Sequence, residues 1–428
     1  MNDGRKVPQG RLARLSQYAS LGAKAGVSIL AKRSQASLAA ETANVLGNMR
    51  GLAAKVGQIA SYVDGLVPEQ SRDAFEGALS KLRSSAVRSP FSDVRGVVEE
   101  ELAAPLDRLF VTFDDEPFAS ASIGQVHRAT LEDGREVAVK IQHPGIHNAV
   151  ESDLKNASVL EPLAGLAGGR KLNSKQVFDE MKNRLREELD YELEADRQEH
   201  FAKLHAADPK IRVPRVIRER SKRRVLTTTL ASGKTLEEAG TLSEAERRAY
   251  AETLWRFVFK GNLVGAVFNA DPHPGNYFFG DDGVVTFIDF GCCEPIVPER
   301  LKKARGLHNA AVKGDEAAFV EYAKQILETR GGTWEKMATE YSRYCFEPLF
   351  ASPFRITRPY AASLVSRLKD IALIARKLPK DEFVPLPKGM VFMNRLQFGF
   401  YSVLARLDVE VDYRHVERTF LSEAGLLT

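Results

Sequence analysis

The feature that most restricts this 428-residue chain is the order of three short segments. Val137-Ala138-Val139-Lys140 sets a lysine in an apolar, β-branched run just after an Asp133-Gly134 turn, a strong hairpin signal. Asp271-Pro272-His273-Pro274-Gly275-Asn276 places a carboxylate and a carboxamide five residues apart, in a loop that follows an amphipathic helical stretch. Ile288-Asp289-Phe290-Gly291 comes after a second turn signal, Asp281-Asp282-Gly283, and supplies another carboxylate 18 residues after Asp271. Such an order calls for a small strand-bearing lobe, then a larger helical lobe.

The rest of the pattern fits. Strands are predicted at Leu109 to Phe113, Val126 to Leu131, Glu136 to Gln142 and Arg224 to Leu230, with a loop at Ala231 to Lys234. Short strands are also predicted at Tyr277 to Phe279 and Val284 to Asp289. Helices are predicted before the first strands, including an acidic one from Val94 to Leu102. From Ser174 to Leu204 nothing breaks a helix, so one continuous helix is expected. Ser243 with Glu246 forms a capping box ahead of Tyr250, Leu254, Phe257 and Val258 on one helical face. An apolar stripe at Val45, Met49, Leu52, Val56, Ile59 and Val63 gives a further helix, and another follows at about 69–85. The expected organisation is a basic arm (1–40), a helical extension (41–104), a strand-containing N-lobe (105–230) and a mostly helical C-lobe (231–428).

Composition narrows the function. Lys and Arg number 61 against 57 Asp and Glu, a balance that argues against nucleic acid as a partner. Three cysteines, Cys292, Cys293 and Cys345, allow no disulfide framework or four-ligand zinc site, and suit a reducing compartment. No apolar run is long enough to cross a bilayer. A cytoplasmic chain, peripheral at the inner face of a membrane, is the expectation. Arg5, Lys6, Arg11, Arg14, Lys24, Lys32 and Arg33 stand against Asp3 alone in the first 40 residues. That segment admits three readings: a solvated arm, a surface for anionic lipid, or a cleaved transit peptide. His127, His143 and His147 share no metal-ligand spacing and read as loop or surface residues. Cys292 and Cys293 read as small buried packing, and the aromatic-rich run from Met390 to Leu404 as a core helix rather than a lipid groove.

Phosphoryl transfer needs a cation for nucleotide phosphates, oxygen ligands for Mg²⁺ and a carboxylate near the attacking group. Asp271 to Asn276 and then Asp289-Phe290-Gly291 reproduce the spacing of the protein-kinase catalytic loop and metal motif, downstream of a strand lysine. Four further marks make the likeness specific: Lys55-Val56-Gly57-Gln58, the alanine-rich loop ending Ser122-Ile123-Gly124-Gln125-Val126-His127, Glu188-Leu189-Asp190-Tyr191 with Glu194-Ala195, and the Asp-Pro-His-Pro-Gly-Asn loop itself. From about residue 41 onward the chain resembles the UbiB family of atypical kinase-like proteins, which includes mitochondrial coenzyme Q biosynthesis ATPases. It departs at Asn269, where many members have histidine, a change read as mainly structural.

The resemblance implies an α+β, two-lobed protein-kinase-like fold with an N-terminal helical extension and a mostly helical C-lobe. It implies ATP and Mg²⁺ as cofactors, with Lys140 on the α/β-phosphates and Glu194 orienting Lys140. Asn276 and Asp289 would hold Mg²⁺, and Asp271 would be the base. Ala121 and Ser122 would face the phosphates, and Leu230 and Ala231 the adenine. Glu188 would meet Lys55, which with Gln58 would lie across the nucleotide and exclude a protein substrate. On one regular helix Glu188 and Glu194 would stand about 120° apart and so address different partners. The alanine at 121 carries a Cβ where kinases use glycine, which restricts backbone geometry near the phosphates. No long activation segment or Ala-Pro-Glu triplet follows Gly291. The implied activity is slow ATP hydrolysis, or phosphorylation of a small or lipid-like acceptor, supporting isoprenoid-quinone metabolism at a membrane surface. Implied partners besides the nucleotide are anionic lipid, or lipids and enzymes of the quinone pathway. Two rivals remain: protein phosphorylation, which the missing segment disfavours, and a nucleotide-gated scaffold that only binds ATP.

Overall fold

A computed structural model of the chain describes residues 88–120, 123–151, 154, 174–375, 377–379, 383–384, 387 and 390–427. The arm, the predicted helices at 41–85, Lys55, Gln58, Ala121 and Ser122 lie outside the described residues. What is described forms the expected α+β arrangement of a small sheet lobe followed by a larger helical lobe.

The small lobe is built on three antiparallel strands: β1 (Gly124–Thr130), β2 (Glu136–Gln142) and β3 (Val225–Thr229). Val137, Val139 and Ile141 are fully buried in one cluster with Val94, Val97 and Val98 of helix α1 (Phe91–Leu102). Side chains alternate across a strand, so burying these odd-numbered positions turns Lys140 to the opposite face of the sheet. Leu109 does not join a strand as the sequence suggested. It closes a short helix, Leu106–Leu109, entered through Pro105 and tied down where the Leu106 N–H donates to Glu99 at 2.9 Å. Only Thr112–Phe113 pairs with β1 there.

The expected continuous helix is two helices, α2 (Ser174–Glu187) and α3 (Tyr191–Leu204). Asp190 caps the second, its Oδ1 accepting from the N–H of Glu192 (3.1 Å) and Leu193 (3.2 Å). The Tyr191 N–H meanwhile donates to the Arg223 carbonyl at 3.0 Å, pulling the chain out of helical register. Glu188 therefore sits in a turn and Glu194 in a first helical turn, so the angle reckoned on one helix does not apply.

Two histidines also differ from expectation. His127 and His143 are buried, whereas His147 is exposed. His127 is held by the Asp114 carbonyl (2.7 Å) and the Gln125 side chain (2.9 Å), and its ring stacks on Phe113. Partners on both ring nitrogens offset the cost of taking it out of water. His143 bonds the Ser89 hydroxyl at 2.9 Å.

The large lobe is organised by α4 (Glu244–Leu263), whose N-terminus carries the complete Ser243/Glu246 capping box. Tyr250, Leu254, Phe257 and Val258 are buried as expected, and Trp255 with them. After it come β4 (Val267–Asn269), the hairpin β5 (Tyr277–Phe279) and β6 (Val285–Phe287), and β7 (Cys293–Pro295), which pairs back onto β4. Helices α5 (Pro298–Lys313), α6 (Glu316–Leu327), α7 (Gly332–Cys345), α8 (Arg358–Ala375), α9 (Met390–Leu407) and α10 (Tyr413–Glu423) complete the lobe. Cys292 and Cys293 are buried in its core, as are Leu396, Phe400, Tyr401 and Leu404 of α9. Among the described residues no helix is long and apolar enough to cross a membrane.

One core residue makes stability depend on pH. His205, just beyond α3, is buried against Phe257, with its ring centroids 4.9 Å apart, and neither ring nitrogen has a partner. Burial, helped by the Lys260 charge, pushes its pKa down from 6.5 to about 3. The unfolded chain therefore takes up this proton first, and stability falls as pH drops from 6.5 toward 3. The slope is about 1.4 kcal/mol per pH unit for one such group. His205→Leu is expected to remove that share of the acid slope, read from denaturation midpoints at pH 7 and 5. An unchanged slope would mean that His205 is not held neutral in the folded protein.

Candidate active site

Lys140 leaves the exposed face of β2 and meets α3. Its Nζ donates to both carboxylate oxygens of Glu194, at 2.7 and 2.9 Å, and lies 3.9 Å from Asp289 Oδ1. Glu194 is 4% exposed, so the ion pair is largely withdrawn from water. Burial alone would lower the Lys140 pKa, but the Asp289 and Glu194 carboxylates outweigh it and hold the ammonium charged well above the usual lysine range. The Lys140 ammonium also stands 5.0 Å from the ring centroid of Tyr191. The Tyr191 hydroxyl is buried without a partner. A Cβ placed on Gly124 would come within 2.8 Å of that hydroxyl and 2.4 Å of the Ile141 carbonyl, which explains the glycine after Ile123.

The two loops of the large lobe are laced together by Asn269. Its Nδ2 donates to the Asp289 carbonyl at 2.8 Å and its Oδ1 accepts from the Asp271 N–H at 3.0 Å. Asn276 Nδ2 donates to the Asp271 carbonyl at 3.0 Å, and the Ile288 N–H to the Asn276 carbonyl at 3.0 Å. Asp271 and Asn276 are buried side by side on this loop. Asp289 holds φ at +63°, the left-handed region, while its Oδ1 accepts from the Gly291 N–H at 3.2 Å. Such a backbone costs on the order of 1–3 kcal/mol and persists only where its surroundings impose it. Arg197 of α3 is part of that frame, donating to the Gly291 carbonyl at 2.9 Å.

Among the sequence candidates, the structure thus brings Lys140, Glu194 and Asp289 into one cluster and Asp271 and Asn276 into the adjoining loop. Glu188 is buried in the turn before α3. Leu230 and Ala231 lie in the segment between the lobes, but the Leu230 N–H is already spent on the Glu136 carbonyl at 3.0 Å. A base docking at Leu230 would find its carbonyl, not its amide. Asn269, Tyr191 and Arg197 were not singled out as site residues. The departure at Asn269 was visible in the sequence; that its amide bridges both loops was not.

The donor set suits a magnesium–phosphate complex. With Nδ2 turned to Asp271, Asn276 keeps its amide oxygen for a cation, and Asp289 offers a carboxylate. Hard cations take oxygen ligands, and Mg²⁺ characteristically uses one or two protein carboxylates plus phosphate and water. Among the described residues no cluster of three or more His, Cys, Asp and Glu could make a complete metal cage, so further ligands would come from the substrate.

Comparison with known proteins shows the family of the chain. The family model described as the ABC1 atypical kinase-like domain matches residues 81–323, more than half of the chain. The chain belongs to this family. Its UbiB character is supported by relatives: it is 29% identical to atypical kinase COQ8B, mitochondrial, of Rattus norvegicus, over 96% of this chain and 80% of the relative. It is also 29% identical to atypical kinase COQ8, mitochondrial, of Saccharomyces cerevisiae, over 75% of this chain and 66% of the relative. Among solved structures it is similar to Rv3197 from Mycobacterium tuberculosis, determined in complex with erythromycin. The TM-score is 0.60 at 27% identity, covering 95% of this chain and 97% of that one.

Proposed function

We propose that this ABC1-family chain binds Mg-ATP between its lobes and turns it over slowly, by hydrolysis or by transfer to a small or lipid-like acceptor. The role is support of isoprenoid-quinone metabolism at a membrane surface. The observation that carries the reading is the buried Lys140–Glu194 pair, 3.9 Å short of Asp289 at its lysine end. Lys140 neutralises the α/β-phosphates, and Glu194 fixes its position. Asn276 and Asp289 hold Mg²⁺, which when bound spreads the charge developing on the transferred phosphoryl group. Asp271, locked by its own backbone N–H and carbonyl, takes the proton of the attacking water or hydroxyl. Ala121 and Ser122 border the phosphates, Leu230 and Ala231 the base, and Lys55, Gln58 and Glu188 close the site against polypeptides. The relatives' printed names, atypical kinases of the COQ8 type, support the chemistry and the quinone context.

Multiple-turnover phosphate release by the full chain, with and without phosphatidylglycerol vesicles, tests this. Slow release that rises with vesicles is expected, with little transfer to a generic protein substrate. ATP binding without turnover under either condition would favour a nucleotide-gated scaffold, and robust protein phosphorylation would overturn the occluded-site reading.

A further inference from the structure

Glu187 ends α2, a position where a carboxylate opposes the helix dipole. Two guanidinium groups hold it there. Arg184, one turn back, and Arg197, on α3, both donate to its Oε2, each at 2.5 Å. Among the described residues its side chain bonds only these two arginines. Both also reach the segment that follows Asp289. Arg184 Nη1 donates to the Cys293 carbonyl at 2.8 Å, and its Nη2 pairs with the Glu294 carboxylate. Arg197 Nη1 donates to the Gly291 carbonyl at 2.9 Å. One carboxylate thus joins two arms that grip residues 291–294 at three points. Without it, two mostly buried cations would face each other across the gap it leaves.

What the arms grip is continuous with the metal motif. The Gly291 N–H donates to Asp289 Oδ1 while the Gly291 carbonyl accepts from Arg197, so both of its peptide groups are fixed. Asp289 keeps φ at +63°, a backbone that its surroundings must impose. Cys293 pairs with Asn269 across the β4/β7 ribbon, and Asn269 joins Asp271 to Asp289. Arg197 stands one turn after Glu194, so the helix that presents Glu194 to Lys140 also presents Arg197 to Gly291.

We propose that Glu187 is a positioning residue for the metal site. By binding Arg184 and Arg197 together it holds residues 291–294 against α3, and so keeps Asp289 in its left-handed conformation as a ligand for Mg²⁺. The bracket stands on the contacts alone; its consequence for the metal rests on the Mg-ATP reading above. Local helix energetics run the other way. Ala is the better residue at the end of α2, free of the unfavourable dipole contact, so a loss in Glu187→Ala is carried by the two arginines.

The chain's three cysteines report on the bracket. Cys292 and Cys293 lie in the gripped segment, Cys345 ends α7, and all three are buried. The full chain without nucleotide is labelled with a maleimide under native conditions, and the sites are read by peptide mass mapping. Glu187→Ala should label at Cys292 and Cys293 about five- to thirtyfold faster than wild type, with Cys345 unchanged. Arg197→Met should also speed labelling, and the double variant should fall well short of the product of the two effects. Unchanged labelling at Cys292 and Cys293 overturns the bracket. An equal rise at Cys345 does so too, because general loosening then accounts for both. Effects that multiply fully rule out a route through Arg197.

For the metal, Mn²⁺ is titrated in the presence of a non-hydrolysable ATP analogue and read by the paramagnetic resonance of the free ion. Glu187→Ala should weaken Mn²⁺ about tenfold, the low end for a residue standing behind a ligand. Affinity for the analogue in EDTA should stay the same, because Lys140 and Glu194 keep their bonds. Unchanged Mn²⁺ affinity, or an equal loss of analogue affinity in EDTA, overturns the metal half alone. A wild type that takes up no Mn²⁺ beside the analogue overturns the Mg-ATP reading and the metal half with it, while labelling still decides the bracket.

Discussion

Asp289→Asn is expected to erase the thermal shift produced by Mg-ATP and to lower ATP turnover by about 10²–10³-fold, the scale seen when one preorganised electrostatic partner is removed. The substitution isolates charge from shape. Asn tolerates the left-handed backbone at least as well as Asp, so the φ of +63° can persist. Its amide oxygen can still accept from the Gly291 N–H, as Oδ1 does now. Lys140 keeps its two bonds to Glu194. What is lost is a negative oxygen ligand for a hard cation. Equal Mg-ATP shifts in wild type and variant would remove Asp289 from the metal site, and normal turnover would remove the cluster from catalysis.

The second large effect falls on stability. Glu194→Leu should cost about 3–5 kcal/mol, because deleting one member of a buried pair strands the other charge. Among the described residues Lys140 would keep Asp289 alone as a counter-charge, at 3.9 Å. Lys140→Met combined with Glu194→Leu should recover most of the loss, since an apolar pair of similar volume in place of a buried ion pair is often neutral or better. Turnover should be absent from both. Chemical denaturation midpoints of the two variants and wild type measure this directly. A double variant as unstable as the single one would mean that the loss comes from packing rather than from an uncompensated ammonium.

These expectations draw unequally on sequence and structure. The β1/β2 hairpin was legible because alternation and an Asp-Gly turn are local signals, and the structure pairs Val126 with Lys140 across it. The start of α4 was legible for the same reason: the Ser243/Glu246 box is written within four residues. The order of Lys140, Asp271, Asn276 and Asp289 pointed to the family because the chemistry restricts both residue type and spacing. The break at Asp190 was not seen. Asp is tolerable inside a helix and preferred at its cap. What selects the cap here is the Arg223 carbonyl, which takes the Tyr191 N–H from a strand entrance far along the chain. Leu109 was misjudged likewise, its helix being completed by a carboxylate on α1.

By itself, then, the sequence determined the period of each long element, the turn between β1 and β2, and the set of charged groups available for phosphate and metal. These follow from local sterics and from the short menu of residues that can do such chemistry. Only the tertiary structure decided where long-range partners were required. It buried His127 and gave both of its ring nitrogens partners, the Asp114 carbonyl and the Gln125 side chain. It made Asn269 the bridge between two loops. It also gave Glu187, at the end of α2, a second guanidinium partner from α3. Where hydrogen-bond partners lie far apart in sequence, as Asn269 and the Asp289 carbonyl do, no local pattern encodes the match.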